Sequence, residues 1–548
     1  MLQPIEILNH SAQDSTTREK KALITKAMGH FYTHELAGHQ LVNGILHSSV
    51  CNNRLAIRII DPFCGDGRLV CWLLETMVAN GDWQNSTMEI TLWDIDEAAL
   101  YLAEEKVMQV SQKLKLPLLV NASLGNTFER ALNYFGQFDI VITNPPWEVL
   151  KPDRRELDKL TKREAQEYIN WLKQQDKLLT RLYPLSQPKR KFSGWGTNLA
   201  RCGTELALRL TASQGACGLV SPASLLADQM TEKLRHWILS DHVIHELAYY
   251  PAEAKLFSKV DQSCITLVAS PGQDKQFSPM LTVYNRQRQV QTRTVLSLSR
   301  EEMEANGLIL PIHFGGEQRQ LFKRWRTLPT FGELEGRDSN ALWAGRELDE
   351  TGHKHFLGNE GNYLFLKGRM IQRFGIVEQP IKYVRNDGPR IPPSANYHRI
   401  AWRDVSRPSQ KRRLHATLIP PGWVTGNSLH VAYFRDCDLE RLKALLAVIN
   451  SLVFEFQLRV YLATSHISLS SVRKARIPPL TDYQLVARLA KLVDQCLAGC
   501  ETSWIEIEIQ VAQAYGLERN DFKLLLSAFD KLTQAEINAL LPQENEVA

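Results

Sequence analysis

The chain has 548 residues, 44% of them hydrophobic and 23% charged, which is the composition of an ordinary globular protein with enough length for two or three domains. No apolar run approaches the ~20 residues of a membrane helix, and the polar first 19 residues lack the apolar core of a secretory signal, so a cytoplasmic chain is expected. Nine cysteines without paired CxxC spacing point to neither a disulfide framework nor a zinc site, and a net charge of +5 is too mild to name a partner.

In chain order, residues 22–48 have helical periodicity, and 55–60 form a short branched apolar run that predicts a strand. That strand ends in Asp61-Pro62-Phe63-Cys64-Gly65-Asp66-Gly67, and a helix is predicted over 68–80. A second strand over 89–93 is followed by Asp94-Ile95-Asp96 and a helix from 97 onward; a third over 138–143 ends at Asn144. Later strands are predicted at 216–221 and 263–270. Strands alternating with helices, with Gly, Asp and Asn at the strand ends, argue for an α/β sheet with a ligand at its carboxyl edge. Between 148 and 195 the pattern breaks into a charged helical insertion. A domain boundary is expected near 298–307, which divides a catalytic domain over 1–300 from a second domain over 301–480 and a helical segment over 481–548.

The Asp61–Gly67 turn sits directly after a strand and before a helix. Its glycines let the backbone turn sharply and approach a ligand, and the helix start offers free N–H groups. It lacks the dinucleotide pattern GxGxxG, so a nicotinamide site is not expected; a plain glycine turn is the alternative. Asp94 at the tip of the next strand is placed to accept hydrogen bonds from both hydroxyls of a ribose, with Asp96 as the cap of the following helix. At the end of the third strand stands Asn144-Pro145-Pro146-Trp147. An aromatic amine is a poor nucleophile because its lone pair is delocalised into the ring. Two acceptors, the Asn144 side-chain oxygen and the Pro145 carbonyl, favour a tetrahedral nitrogen with a localised lone pair. The prolines hold the loop rigid, and Trp147 offers a flat face for an extruded base.

In this order the motifs resemble those of gamma-type N6-adenine DNA methyltransferases, and more closely the adenine methyltransferases of type IIS restriction–modification systems. The resemblance implies a class I S-adenosylmethionine-dependent methyltransferase (Rossmann-like) sheet plus a C-terminal α+β target-recognition domain. It implies S-adenosylmethionine as methyl donor and no metal. Phe31, Tyr32, Thr33, Asp61, Phe63, Gly65, Gly67, Asp94, Asn126 and Asn144 are the implied cofactor residues; His34 stands where the family usually has Pro, and Asn126 where it usually has Asp. Asn144, Pro145, Pro146 and Trp147 are the implied catalytic residues. Gly194-Trp195-Gly196-Thr197-Asn198 and 218–226 resemble the family's next motifs, and Phe257, with Tyr250 as competitor, is the implied second aromatic against the flipped base.

Double-stranded DNA is the expected partner, with a cognate endonuclease possible in the same system and no membrane. Basic residues at 188–191 and between 385 and 415 suggest phosphate contacts, Arg403 and Arg412 among them. Lys367-Gly368-Arg369, Ala401-Trp402-Arg403-Asp404 and Gly426-Asn427-Ser428-Leu429 resemble pieces of target-recognition domains. A separate nuclease domain is not expected. Asn-Pro-Pro-aromatic also serves cytosine N4, RNA adenine and glutamine amide methylation, and a non-catalytic DNA-specificity subunit is a further alternative.

Overall fold

The computed structural model describes residues 32–48, 56–81, 87–152, 157–158, 160–189, 196–257, 262–274, 276–305, 307–407, 410–461, 466–500 and 502–541. The chain divides into two compact units, 1–312 and 313–548.

The first unit is built on a nine-stranded sheet: β1 (Ala56–Asp61), β2 (Thr87–Asp94), β3 (Leu118–Leu124), β4 (Phe138–Thr143), β5 (Thr211–Pro222), β6 (His242–Tyr250), β7 (Cys264–Pro271), β8 (Met280–Tyr284) and β9 (Val290–Val295). Their order is β3-β2-β1-β4-β5-β7-β6-β8-β9. The neighbours from β3 to β5 run parallel, β7 is antiparallel to both β5 and β6, β8 is parallel to β6, and β9 turns back along β8. This is a mostly parallel α/β sheet, as the alternation of strands and helices in the sequence predicts.

Helices α1 (Glu35–His47), α2 (Arg68–Asn80), α3 (Glu97–Leu114), α4 (Lys162–Leu182), α5 (Leu199–Leu210) and α6 (Glu232–Asp241) flank it. All six residues of β4 are buried, which explains the apolar run Ile140-Val141-Ile142, while buried Asp139 accepts from the Arg58 N–H (2.9 Å). From Ile140 onward successive side chains enter opposite cores: Ile140 and Ile142 pack with residues of α1–α3 and Val141 with residues of α4–α6, while a register shift between Phe138 and Ile140 leaves Phe138 on the side of Val141. β3 reads as no strand in the sequence because it is a half-exposed edge with alternating Asn and Ser. β6 was equally unforeseen; His and Glu interrupt its apolar run. Within 148–195 lies α4, which starts on a Thr161–Glu164 capping box.

The strand order reverses between β1 and β4. In an open α/β sheet that is where a crevice opens beyond the carboxyl ends of the strands. Asp61 ends β1 and Asn144 follows β4.

The second unit carries an antiparallel sheet of β10 (Leu342–Gly345), β11 (Arg399–Arg403), β12 (Ala416–Ile419) and β13 (Leu429–Phe434) in the order β10-β13-β11-β12. A second sheet of four short strands and helices α7 (Leu439–Asn450), α8 (Leu452–Arg459), α9 (Tyr483–Leu497) and α10 (Ser503–Ala514) complete an α+β body. The helices after 481 belong to this same unit. Among the described residues no helix is long and apolar enough to cross a membrane.

Candidate active site

Asp61 is buried, and its Oδ1 accepts from the Phe63 N–H (3.1 Å) and the Thr143 hydroxyl (2.8 Å). Burial pushes the carboxyl up to about 7, against the lowering effect of those two donors. Thr143 is the last residue of β4, so this one hydrogen bond ties the end of β1 to the residue before Asn144. Beyond Asp61 the chain turns through Gly65 (φ +50°) and Gly67 (φ +75°), both left-handed. Gly67 is required twice over, because a Cβ there would lie 2.9 Å from the Ala103 backbone of α3. The Gly65 N–H donates to Asp94 Oδ2 (2.8 Å), while Asp94 Oδ1 accepts from the N–H groups of Ile95 (2.7 Å) and Asp96 (2.9 Å). The acid at the end of β2 is therefore fixed against the glycine turn. Asp96 caps α3 through the N–H groups of Ala98 and Ala99.

The segment before α1 meets this turn through Arg68, a residue the sequence did not single out. Its Nη1 donates to the Thr33 carbonyl (3.0 Å), its guanidinium lies 4.8 Å from the Tyr32 ring centre, and its other nitrogens hold Asp66 (2.8 and 2.9 Å). The Tyr32 ring faces Gly65, within 3.5 Å of where a Cβ would stand. Thr33 is buried but does not cap α1; His34 does, through Nδ1 on the Leu36 N–H (3.1 Å). That is what His34 does where the family usually has Pro. Phe31 lies outside the described residues. Asn126 caps the short turn after β3, its Oδ1 accepting from Phe128 N–H (3.2 Å) and its Nδ2 donating to Glu129. Next to it the Thr127 hydroxyl donates to the Pro62 carbonyl (2.8 Å), which holds that turn to the Asp61–Gly67 loop.

The Asn144–Trp147 loop is held from two sides. Pro145 packs against Gly203 of α5, where a Cβ would lie 2.4 Å from the proline Cβ and 3.4 Å from the Phe63 ring. Beyond Trp147 the chain pairs with the segment entering α5: Leu199 N–H donates to the Glu148 carbonyl and Leu150 N–H to the Thr197 carbonyl, both at 2.8 Å. Asp176 of α4 anchors that segment by accepting from the Thr197 hydroxyl (2.7 Å) and the Gly196 N–H (3.1 Å). Trp147 meets Phe257 edge-to-face, ring centres 4.7 Å apart. The competitor Tyr250 is in the core, stacked on Tyr284 at 4.7 Å. The Trp147 indole N–H is buried with no hydrogen-bond partner among the described residues. Gly194 and Trp195 lie outside them.

Residues 82–257 match the family model described as Eco57I restriction-modification methylase. The matched span contains Asp94, the Asn144–Trp147 loop and Phe257. No curated protein matches the chain in sequence. Among solved structures, a nuclease-deletion mutant of the Type ISP restriction-modification enzyme LlaGI, in complex with a DNA substrate mimic, is similar at TM-score 0.52 and 9% identity over 89% of this chain and 49% of that one. The type IIG restriction endonuclease BpuSI is similar at TM-score 0.44 and 13% identity over 95% of this chain and 68% of that one. A modification subunit of a type I restriction enzyme from Vibrio vulnificus YJ016, itself described as putative, has TM-score 0.32 and 14% identity over 52% and 54%. The LlaGI likeness is one of fold, and the chain spans about half that protein's length.

In the second unit of this methylase-like chain the basic residues part company. Arg412 is buried: its Nε and Nη1 hold Glu455 and Glu508 at 2.9 Å and its Nη2 the Asn450 carbonyl at 2.6 Å. This corrects the expectation of a DNA contact, since those acids lie inside the unit and occupy the guanidinium. Arg399 and Arg413 are buried as well, whereas Arg390 and Arg407 are exposed. Arg403 is half-buried and donates through Nη2 to the Ile371 carbonyl, bracing the Lys367-Gly368-Arg369 turn. That turn meets the Gly426–Leu429 segment: Gly368 N–H donates to Ser428 Oγ (2.9 Å), and Gly426 N–H to the Leu366 carbonyl (3.0 Å).

Proposed function

We propose that the chain is a site-specific DNA adenine N6-methyltransferase that uses S-adenosylmethionine and serves as the protective modification enzyme of a restriction–modification system. The observation that carries this reading is the Thr143–Asp61 hydrogen bond across the reversal of strand order. It sets the Asn-Pro-Pro-Trp loop directly beside the glycine turn. The residues fit a cationic, ribose-bearing methyl donor. Asp61 is a buried carboxyl balanced near neutrality, so a bound cation would hold it ionised. Asp94 is a fixed acid for a ribose, Gly65 and Gly67 keep the turn clear of side chains, and Tyr32 and Thr33 are tied to it by Arg68.

When bound, S-adenosylmethionine supplies an electrophilic methyl group. The chain's own part is positional. Asn144 and the Pro145 carbonyl take the amine hydrogens and orient the nitrogen lone pair, while Pro145 and Pro146 hold both acceptors still. Trp147 and Phe257 form an aromatic wall for the extruded base, and the indole N–H is available to a substrate or cofactor acceptor. The choice of adenine follows from the motif order, with the cofactor turn preceding the catalytic loop. Double-stranded DNA as substrate, target recognition by the second unit, a cognate endonuclease and a cytoplasmic location belong to the same reading.

The test is nucleoside analysis of DNA incubated with the chain and methyl donor. N6-methyladenine is expected, and Asn144→Ala is expected to abolish it while retaining donor binding. N4-methylcytosine alone would overturn the adenine assignment. Failure of the wild-type chain to bind S-adenosylmethionine would overturn the methyltransferase reading itself.

A further inference from the structure

Asp404 follows β11 in the second unit and its side chain is 6% exposed. Three side chains converge on it. His430 Nε2 lies 3.0 Å from Oδ1, His466 Nδ1 3.0 Å from Oδ2, and Arg346 Nη2 3.0 Å from Oδ1. Burial works against the carboxylate charge, but hydrogen bonds from the two histidines and the charges of His430 and Arg346 outweigh it and hold the carboxyl far below its usual range. The backbone is pinned as well: Asp404 N–H donates to the Ser428 carbonyl (2.9 Å), and its own carbonyl accepts from Ile467 N–H (2.6 Å). Ser428 in turn receives the Gly368 N–H, where a Cβ would lie 2.8 Å from the Ser428 carbonyl oxygen. Asp404 is thus the fixed centre of a junction between four segments of the unit.

Arg346 is different from the other two partners. It follows β10, and its side chain is 49% exposed. The Arg346–Asp404 pair thus joins a half-exposed arginine to a buried carboxylate. The Arg346 charge helps keep the buried carboxylate ionised, beside its two histidine donors. The contact also orients. A guanidinium is planar, so one nitrogen held by a fixed carboxylate limits the plane and direction of the remaining N–H groups. An oriented outward guanidinium matches O6 and N7 of guanine in the major groove, the pairing most used in sequence-specific contacts. Phosphate contact needs no such fixing, because a charge on a flexible stem suffices.

We propose that Arg346 is a specificity-determining residue that reads a guanine in the target duplex, with Asp404 as the positioning carboxylate behind it. This rests on reading the chain as a DNA methyltransferase. The test maps methylated sites at base resolution in DNA from hosts expressing the wild-type chain, Arg346→Ala or Arg346→Lys. Both variants are expected to relax one guanine position of the wild-type site by roughly 5- to 150-fold, the span of one bidentate base contact, with the other positions kept. Arg346 is exposed, so both variants are expected to fold, and donor binding checks this. A uniform loss over all sites that Lys restores would make Arg346 a backbone cation and overturn the assignment. So would an unchanged site in both variants. A wild-type chain that methylates no DNA would instead overturn the parent reading, and this assignment with it.

Discussion

A Cβ on Gly203 of α5 would stand 2.4 Å from the Cβ of Pro145, closer than any unstrained pair of carbons. Helix and Asn144–Trp147 loop therefore touch through a missing side chain. The loop has little room to retreat, because 148–150 is paired to 197–199 on its far side and two prolines stiffen it. Gly203→Ala is expected to displace the loop rather than unfold the sheet, at a stability loss of about 1–3 kcal/mol. Since a shift of ~1 Å in reacting geometry lowers rates by about 100-fold, single-turnover methyl transfer should fall by that order while donor affinity stays unchanged. Equal loss of donor affinity and rate would show that the contact does not act through the loop.

Asp61 gives a pH prediction. Its folded carboxyl, raised to about 7 by burial, holds a proton more tightly than the unfolded chain does. The folded state therefore binds the extra proton between the ordinary carboxyl range and neutrality. Its stabilising contribution is complete below about pH 4 and is lost as pH rises through about 7, a change of about 4 kcal/mol at most. Urea unfolding of wild type and Asp61→Asn across pH 4–8 should diverge in that window, with the wild type losing stability relative to the variant as pH rises. A cationic donor reverses the preference, so binding near pH 6.5 should release protons in the wild type and fewer in Asp61→Asn. Calorimetry in buffers of different ionisation enthalpy reads that number directly.

Arg412 separates a structural arginine from a DNA-binding one. Arg412→Ala removes the arginine shared by fully buried Glu455 and Glu508, which keep Arg459 and Arg373, and is expected to destabilise the second unit by about 3–5 kcal/mol. Exposed Arg390→Ala should leave unfolding unchanged. A normal denaturation midpoint for Arg412→Ala would put the side chain outside the core network.

The same residue marks the limit of what the sequence discloses. Asp61, Asp94 and the Asn144–Trp147 loop stand out in the sequence as chemically distinctive residues after apolar runs, and Asp61 and Asp94 lie at the same glycine turn, with Asp61 bonded to the residue before Asn144. The burial of Arg412 was not legible, because its partners lie 43 and 96 residues downstream and only the fold brings them together. Gly203 and Arg68 escaped for a related reason. One acts through the side chain it lacks, the other through contacts with Thr33, 35 residues upstream. β3 was hidden by its edge position, where polar and apolar residues alternate too weakly for a strand signal.

The Trp147–Phe257 pair offers the sharpest reading of base extrusion. Their edge-to-face contact at 4.7 Å holds Phe257, at the end of the β6–β7 connection's described part, against the catalytic loop. If this wall receives the flipped base, Phe257→Ala removes one stacking surface, which is worth about 1–3 kcal/mol per base. DNA carrying 2-aminopurine at the target should then show a smaller fluorescence rise with the variant than with the wild type. DNA with an abasic target has no base to stack, so the two proteins should bind it with equal affinity. A variant that weakens on both DNAs to the same extent would place Phe257 in support of the fold alone.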